Sequence, residues 1–296
     1  MPRASRHFLP GYVWHITHRC HQRKFLLKFA RDRRRYLRWL FEAKNRFGLC
    51  VLDYIVTSNH IHLLVKDTGA NVIAESMQLI AGRTAQEYNQ RKGKQGAFWE
   101  DRYHATAIEI DEHLHRCVVY IDLNMVRAGA VNHPGQWNEN GFCEIQKPAK
   151  RYAIIDLRAL SELCGFEDIE GFQTAHRQWI EEALARELSL RDARWSEAIA
   201  VGGLAFVERV KNDLGVKTMH REVLETDETY ALREPAEAYA GKFTGKIEAL
   251  KTQTPSSGMK ASMMQGHSLV RPGEDHSLQL HNFCYCFLVL GECGNA

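Results

Sequence analysis

Two histidines separated by one residue are the most chemically suggestive feature of the sequence. His60 and His62 lie between two apolar runs, and successive side chains of a β-strand point to opposite faces. Both imidazoles therefore project from one face of the predicted strand, while Ile61 enters the other. Imidazoles are common ligands of divalent metal ions. Most such pairs on strands are incidental, so a metal site here needs further donors.

A tyrosine and an asparagine four residues apart supply the missing groups. Tyr120 and Asn124 fall one turn apart on a predicted helix. Asn124 offers an amide oxygen as a third metal ligand, and Tyr120 offers a phenolic nucleophile. Because a phenol with a pKa of about 10 is a weak nucleophile at neutral pH, a metal that polarises a phosphodiester would assist its attack. Alternatively, Tyr120 is a core residue and Asn124 helps to end the helix.

The surrounding segments predict the scaffold that brings these groups together. Apolar periodicity predicts strands at 11–19, 49–56, 60–66 and 105–110 and helices at 31–47, 71–91 and 112–127. The order β-α-β-β-α-β-α is typical of an α+β, ferredoxin-like fold, in which a four-stranded antiparallel sheet carries helices on one face. Its last helix would bring Tyr120 and Asn124 across the sheet to the histidines.

The rest of the chain divides into two further regions. Short amphipathic patterns at 170–188 and 203–213 predict a small helical accessory region over about 150–250, which we expect to contact DNA. After Thr252 the periodicity is lost, and residues 252–296 are expected to be a disordered tail. Residues 1–135, which contain the candidate residues, then form a domain of their own.

Composition favours a soluble nucleic-acid-binding protein. The chain has 296 residues, 45% hydrophobic and 25% charged, and eight cysteines without a regular spacing, which predicts reduced thiols rather than structural zinc. Residues 1–120 carry 20 basic and 11 acidic side chains, a net charge of +9, whereas the remainder carries 19 and 25, a net charge of −6. A basic half suits a polyanionic partner. Without an apolar span or signal core, a cytoplasmic location, on the nucleoid when DNA-bound, and no membrane partner are expected.

Four blocks, in order, resemble the REP-associated tyrosine transposases of the HUH superfamily. They are PRASRHFLPGYVWHITHR near the N-terminus, SNHIHLLV, FWEDRYHATAIE and YIDLNMVRAGAV. The resemblance covers residues 1–135 densely, and GGLAFVERVKNDLG at 202–215 resembles the helical C-terminal part of many members. One departure is Met125, where proline commonly follows the asparagine.

This resemblance implies a function and a role for each candidate residue. His60 and His62 correspond to the metal ligands, Tyr120 to the nucleophile and Asn124 to the polar residue that follows it. The family implies Mg²⁺ or Mn²⁺ as cofactor and single-stranded or hairpin DNA, the repetitive extragenic palindromes, as substrate. Cleavage would proceed through a 5′-phosphotyrosine intermediate. Members can act as monomers, so a monomer is favoured over a homodimer.

Further basic and aromatic residues are candidates for contacts with DNA. Interleaved aromatics and cations suit base stacking and phosphate contact, although Trp99 could equally be part of a buried aromatic corner. A basic N-terminal arm suits groove contacts. The predicted DNA-binding residues are Arg3, Arg6, Trp99, Arg102, Tyr103 and Arg127.

Two other functions remain open at this stage. A domesticated relative could bind hairpin DNA or RNA without cutting it, since the ferredoxin-like sheet is also an RNA-recognition architecture. The sequence lacks the aromatic pattern of such readers, however. A replication initiator or relaxase would share the metal and tyrosine chemistry, but the chain has no phosphate-binding loop of an attached helicase.

Overall fold

Seven β-strands form one sheet within the residues that the computed structural model describes, which are 11–110, 112–186, 192–218, 221–226 and 229–233. The strands are β1 Val13–Arg19, β2 Cys50–Val56, β3 His60–Lys66, β4 His104–Ile108, β5 Ala200–Gly202, β6 Glu222–Thr226 and β7 Thr229–Arg233. The four predicted strands are all present. The first and last residue of each strand lie within two residues of their predicted positions. The predicted tail, 252–296, lies outside the described residues.

The sheet is larger than the four strands expected from the sequence. Its order is β2-β3-β1-β4-β5-β7-β6. β1 pairs antiparallel with both β3 and β4, so that Thr17 lies opposite His62 and His15 lies opposite Thr106. β5 then adds to β4 in parallel, with Ala107 opposite Ala200. The region predicted to be wholly helical therefore also supplies three strands, which continue the same sheet.

Nine helices accompany the sheet in the described part of the chain. They are α1 Ala30–Phe47, α2 Val72–Lys92, α3 Glu112–Asp122, α4 Asn124–Arg127, α5 Gly141–Gln146, α6 Leu157–Leu163, α7 Ile169–Ala185, α8 Arg194–Glu197 and α9 Leu204–Leu214. None of these helices has the length and apolar character that crossing a membrane requires. All described residues belong to one compact unit that spans residues 1–241.

Helices cover both faces of the sheet, not one face as predicted. Trp99 packs on His18 of β1, on Tyr36 of α1 and, through an indole hydrogen bond, on α2. On α3, by contrast, the Tyr120 ring meets His15 of the same strand β1. Since His15 and His18 are three residues apart on a strand, they point to opposite faces. The helices α1 and α2 therefore lie on one face and α3 lies on the other.

Local sequence explains where these elements form and end. β2 is apolar at almost every position and is buried on both faces, as expected for an internal layer. α1 buries Tyr36, Leu40 and Ala43 and ends at Gly48, whose φ of 72° lies in the left-handed region that favours glycine. Gly202 allows a close approach of β5 to Glu109, since a Cβ there would lie 2.7 Å from Glu109 Oε2.

A buried hydrogen-bond network joins the helix that carries Tyr120 to the C-terminal helices. Asp122, at the end of α3, accepts from the backbone N–H of Phe142 at 2.9 Å and from His176 Nε2 of α7 at 2.8 Å. Gln146 of α5 completes the network through its contact with His176 Nδ1. The side chains of Asp122 and His176 are both fully buried, so this network sets where α3 can sit.

We expect His176→Ala to destabilise the fold by about 3 kcal/mol or more, because it leaves the buried Asp122 carboxylate without its main partner. Urea unfolding followed by tryptophan fluorescence measures this change. Gln178→Ala, an exposed change on the same helix α7, is the matched control and should cost less than about 0.5 kcal/mol. A loss below about 1 kcal/mol for His176→Ala would show that the network does not anchor α3.

Candidate active site

A cavity of about 740 Å³ opens where β1, β3 and the end of α3 meet. Its lining includes most of the residues that the sequence singled out: His60, His62, Arg102, Tyr120, Asn124 and Arg127. The first residues of β3 contribute the imidazoles, and the α3–α4 segment contributes the phenol and the amide. The two sequence motifs, about sixty residues apart, therefore share one cavity.

The ring of His60 is oriented by the turn that precedes β3. Its Nδ1 lies 2.7 Å from Asn59 Oδ1 and 3.0 Å from the Thr57 hydroxyl. Because the Asn59 carbonyl oxygen can only accept, the proton of a neutral His60 ring resides on Nδ1. Nε2 is then the unprotonated nitrogen, the form in which imidazole binds a metal.

His62 is held from both sides of its ring. His62 Nδ1 lies 2.9 Å from Nε2 of His15, and His62 Nε2 lies 3.0 Å from the side-chain amide of Asn124. Burial, followed by the nearby charges of His15 and His60, lowers the pKa of His62 well below its usual value. Burial likewise lowers the pKa of His15 to about 3. Both imidazoles are therefore neutral at physiological pH.

Tyr120 sits beside this pair with its ring largely covered. The ring is edge-on to His62 and His15, with centroid separations of 5.7 and 6.0 Å. The guanidinium of Arg127 lies 4.2 Å from the Tyr120 ring centroid and donates to the Tyr120 backbone carbonyl at 2.5 Å. Only 8% of Tyr120 is exposed, and the residue lines both this cavity and a second one between α3, α7 and α8.

The segment after Tyr120 is not the single helix predicted for 112–127. α3 ends at Asp122, and Asn124 begins the short helix α4 after Leu123. Arg127 reaches back across this interruption to the Tyr120 carbonyl. Tyr120 and Asn124 nevertheless line the same cavity, and Gly129, with φ of 66°, closes the segment as expected.

The side chains around this point offer imidazole nitrogens and an amide oxygen as donors for a divalent ion. Among the described residues, no three His, Cys, Asp or Glu side chains form a metal-binding group, so the candidate donors are two imidazoles and the Asn124 amide. Rotating the Asn124 amide group by half a turn about its last side-chain bond places Oδ1 where Nδ2 now lies, so that the oxygen faces His62. Adjacent ligands of a six-coordinate ion with bonds of about 2.1 Å lie about 3 Å apart, and the Asn124 amide lies 3.0 Å from His62 Nε2.

Only some of the predicted DNA-binding residues line the cavity. Arg102 and Arg127 line the cavity. Tyr103 is only 4% exposed and Trp99 stacks on His18 at 4.0 Å while its indole N–H is bonded to the Ala81 carbonyl. Both aromatics pack against other side chains of the protein, and their role in binding DNA stays a prediction. Arg3 and Arg6 lie outside the described residues.

Sequence reasoning missed two contributors to the site. His15 contacts His62 directly; its signal was a polar residue on the strand face opposite Trp14 and Ile16. The second contributor is the α8 segment, from which Ser196 and Glu197 line the cavity. Nothing in the sequence indicated that this segment, about 75 residues beyond Tyr120, returns to the site.

Part of the chain is similar to a known protein family and to two solved structures. Residues 10–124 match the family model described as "Transposase IS200 like". The curated proteins contain no match to this sequence. A solved structure described as a REP-associated tyrosine transposase bound to a REP hairpin is 18% identical, covers 53% of this chain and 94% of its own, and has a TM-score of 0.43. A candidate transposase from Deinococcus radiodurans is 16% identical, covers 35% and 83%, and has a TM-score of 0.28.

Proposed function

We propose that the chain is a transposase of the IS200-like family, whose model matches residues 10–124, and that it cuts and rejoins single-stranded DNA through a covalent bond to Tyr120. The main support is geometric: Tyr120 lines the same cavity as His60, His62 and Asn124. These side chains all come from one chain, so the proposed site does not require a second copy. This supports a monomer as the active form.

The proposed reaction is a phosphoryl transfer. Tyr120 gives up its phenolic proton to water, and its oxygen attacks the scissile phosphorus. The bond to the 3′ oxygen breaks, and that oxygen takes up a proton from water and leaves as a 3′-hydroxyl. The downstream DNA remains attached to Tyr120 through its 5′ phosphate. Because one phosphodiester replaces another, a 3′-hydroxyl of a second strand can reverse the step and join new ends.

The residues around Tyr120 suit this reaction. The Arg127 guanidinium packs over the ring, and its bond to the backbone carbonyl restricts the motion of Tyr120. We assign His60, His62 and Asn124 as the residues that hold Mg²⁺ or Mn²⁺, which when bound polarises the phosphate and neutralises its charge. Arg102 at the rim of the cavity is available for a phosphate.

We propose hairpin-forming DNA as the substrate. The support is the resemblance of four sequence blocks to the REP-associated transposases, together with the net charge of +9 on residues 1–120. We assign cleavage to residues 1–135, with the α8 segment as an added part of the site. The remaining C-terminal residues are proposed to assist DNA binding.

Labelled hairpin oligonucleotides test both the bond and its polarity. Purified full-length protein is incubated with Mn²⁺ and a hairpin that has single-stranded flanks, and the products are separated on a denaturing gel. A 3′ label should move into a slow protein–DNA band, whereas a 5′ label should appear in a shortened free strand. A covalent band with the 5′ label would contradict the proposed polarity. A native-gel shift without any covalent product, over a panel of hairpin sequences, would identify a binding protein that does not cut.

A further inference from the structure

A chain of hydrogen bonds runs from the C-terminal part of the molecule to the proposed metal site. The backbone carbonyl of Trp195 lies 2.7 Å from His15 Nδ1. His15 Nε2 lies 2.9 Å from His62 Nδ1, and the two ring planes are within 10° of parallel. The chain ends at His62 Nε2, which faces Asn124.

The direction of these bonds is determined by the carbonyl. A carbonyl oxygen can only accept, so His15 Nδ1 carries a proton and donates it to Trp195. A neutral His15 then has an unprotonated Nε2, which can only accept from His62 Nδ1. A second proton on His15 would create a cation in a fully buried position, which is costly. His62 is therefore protonated on Nδ1, and its Nε2 keeps the lone pair that a metal needs.

The Trp195 carbonyl is held in place by the docking of the α8 segment on β4. The Thr106 hydroxyl donates to the Ala198 carbonyl at 2.6 Å, and His104 Nε2 contacts the same oxygen at 2.8 Å. The backbone N–H of Ala107 donates to Ile199 at 2.7 Å. Trp195 is 5% exposed, so its carbonyl belongs to a packed segment and not to a surface loop.

We propose that His15 is a positioning residue that holds His62 in its Nδ1-protonated form, with its own orientation set by the Trp195 carbonyl. The C-terminal α8 segment is then required for metal binding, although the proposed ligands all lie within residues 60–124. Metal-bound histidines commonly depend on such an outer hydrogen-bond partner for their orientation. The proposal rests on the proposed function, because it assumes that His62 is a ligand.

Three variants of the full-length chain separate this role from simple packing. His15→Ala removes both hydrogen bonds, and the apparent Kd for Mn²⁺ should rise about 10–100-fold. His15→Gln offers an amide whose oxygen accepts from His62 and whose N–H donates to Trp195, and it should restore most of the affinity. His133→Ala, which removes an imidazole outside the lining of the cavity, is the matched control. Its Kd should change less than about 3-fold. Binding is measured from the loss of the free Mn²⁺ signal in electron paramagnetic resonance.

Nitrogen-15 spectra of the metal-free wild type test the proton arrangement itself. Two-bond ¹H–¹⁵N correlations should show His15 and His62 both protonated on Nδ1, and this readout decides the proposal even if His15→Ala does not fold. A proton on His62 Nε2 overturns it. So does a folded His15→Ala with unchanged Mn²⁺ affinity, or a His15→Gln no better than His15→Ala. A wild type that does not bind Mn²⁺ at all would instead refute the metal part of the proposed function.

Discussion

Replacing Tyr120 with phenylalanine should abolish the covalent DNA–protein product, with a loss of at least about 1000-fold, since no other group replaces a missing nucleophile. Phenylalanine keeps the ring that packs edge-on to His62 and under Arg127. The fold and the affinity for hairpin DNA should therefore be little changed. The measurement is the slow band of 3′-labelled DNA on a denaturing gel, with DNA binding followed separately by a native-gel shift.

Tyr152→Phe provides the matched control. Tyr152 is 75% exposed, far more than Tyr120, so it is the tyrosine that an adventitious adduct would select. This variant should form the covalent product as the wild type does. Persistence of the adduct in Tyr120→Phe, or its loss in Tyr152→Phe, would show that the wrong tyrosine has been assigned.

Replacing His60 or His62 with alanine should lower the cleavage rate by at least about 100-fold, because losing a direct ligand costs more than the 10–100-fold typical of outer contacts. The affinity for hairpin DNA should remain. His60→Ala is the cleaner variant, since His62→Ala also removes the partner of buried His15. Chelation of the wild type with EDTA should have the same effect as these substitutions, and added Mn²⁺ should restore only the wild type.

His133→Ala is the control for these two variants. His133 caps the short helical turn Pro134–Gln136, which follows α4 in the chain, and it lies outside the lining of the cavity. Its cleavage rate should stay within about 2-fold of the wild type, as for most substitutions away from a site. Normal cleavage by both His60→Ala and His62→Ala, with Tyr120 still essential, would show that the reaction does not use these ligands.

The sequence predicted the first four strands and the long helices because each has a strong periodic signal. β2 and β3 are apolar runs joined by a turn, and α1 and α2 show helical spacing over 18 and 21 residues. The break between α3 and α4 was missed, because propensity alone favours one continuous helix there. β5, with three residues, is too short to be separated from a loop by its pattern.

The aromatic residues near the cavity show why neighbouring positions in a motif cannot be given a shared role. Arg102 and Tyr103 are adjacent, yet Arg102 lines the cavity while Tyr103 is buried. Interleaved aromatics and cations fit both a DNA-binding surface and the edge of a core. Only the packing of α1 and α2 over Trp99 decided which side faces solvent.

The order and spacing of the residues determined which chemical groups this protein could use: two imidazoles on one strand face, and a phenol and an amide one helical turn apart. Because a strand has a period of two, local spacing alone puts the two imidazoles on one face. Tyr120 and Asn124 line one cavity although the helix is interrupted between them. Tertiary structure decided that the two pairs meet in one cavity. It also decided that a chain of hydrogen bonds links the Trp195 carbonyl, through His15, to His62. Contacts between residues 180 positions apart depend on how the whole sheet is extended, and no local pattern encodes that.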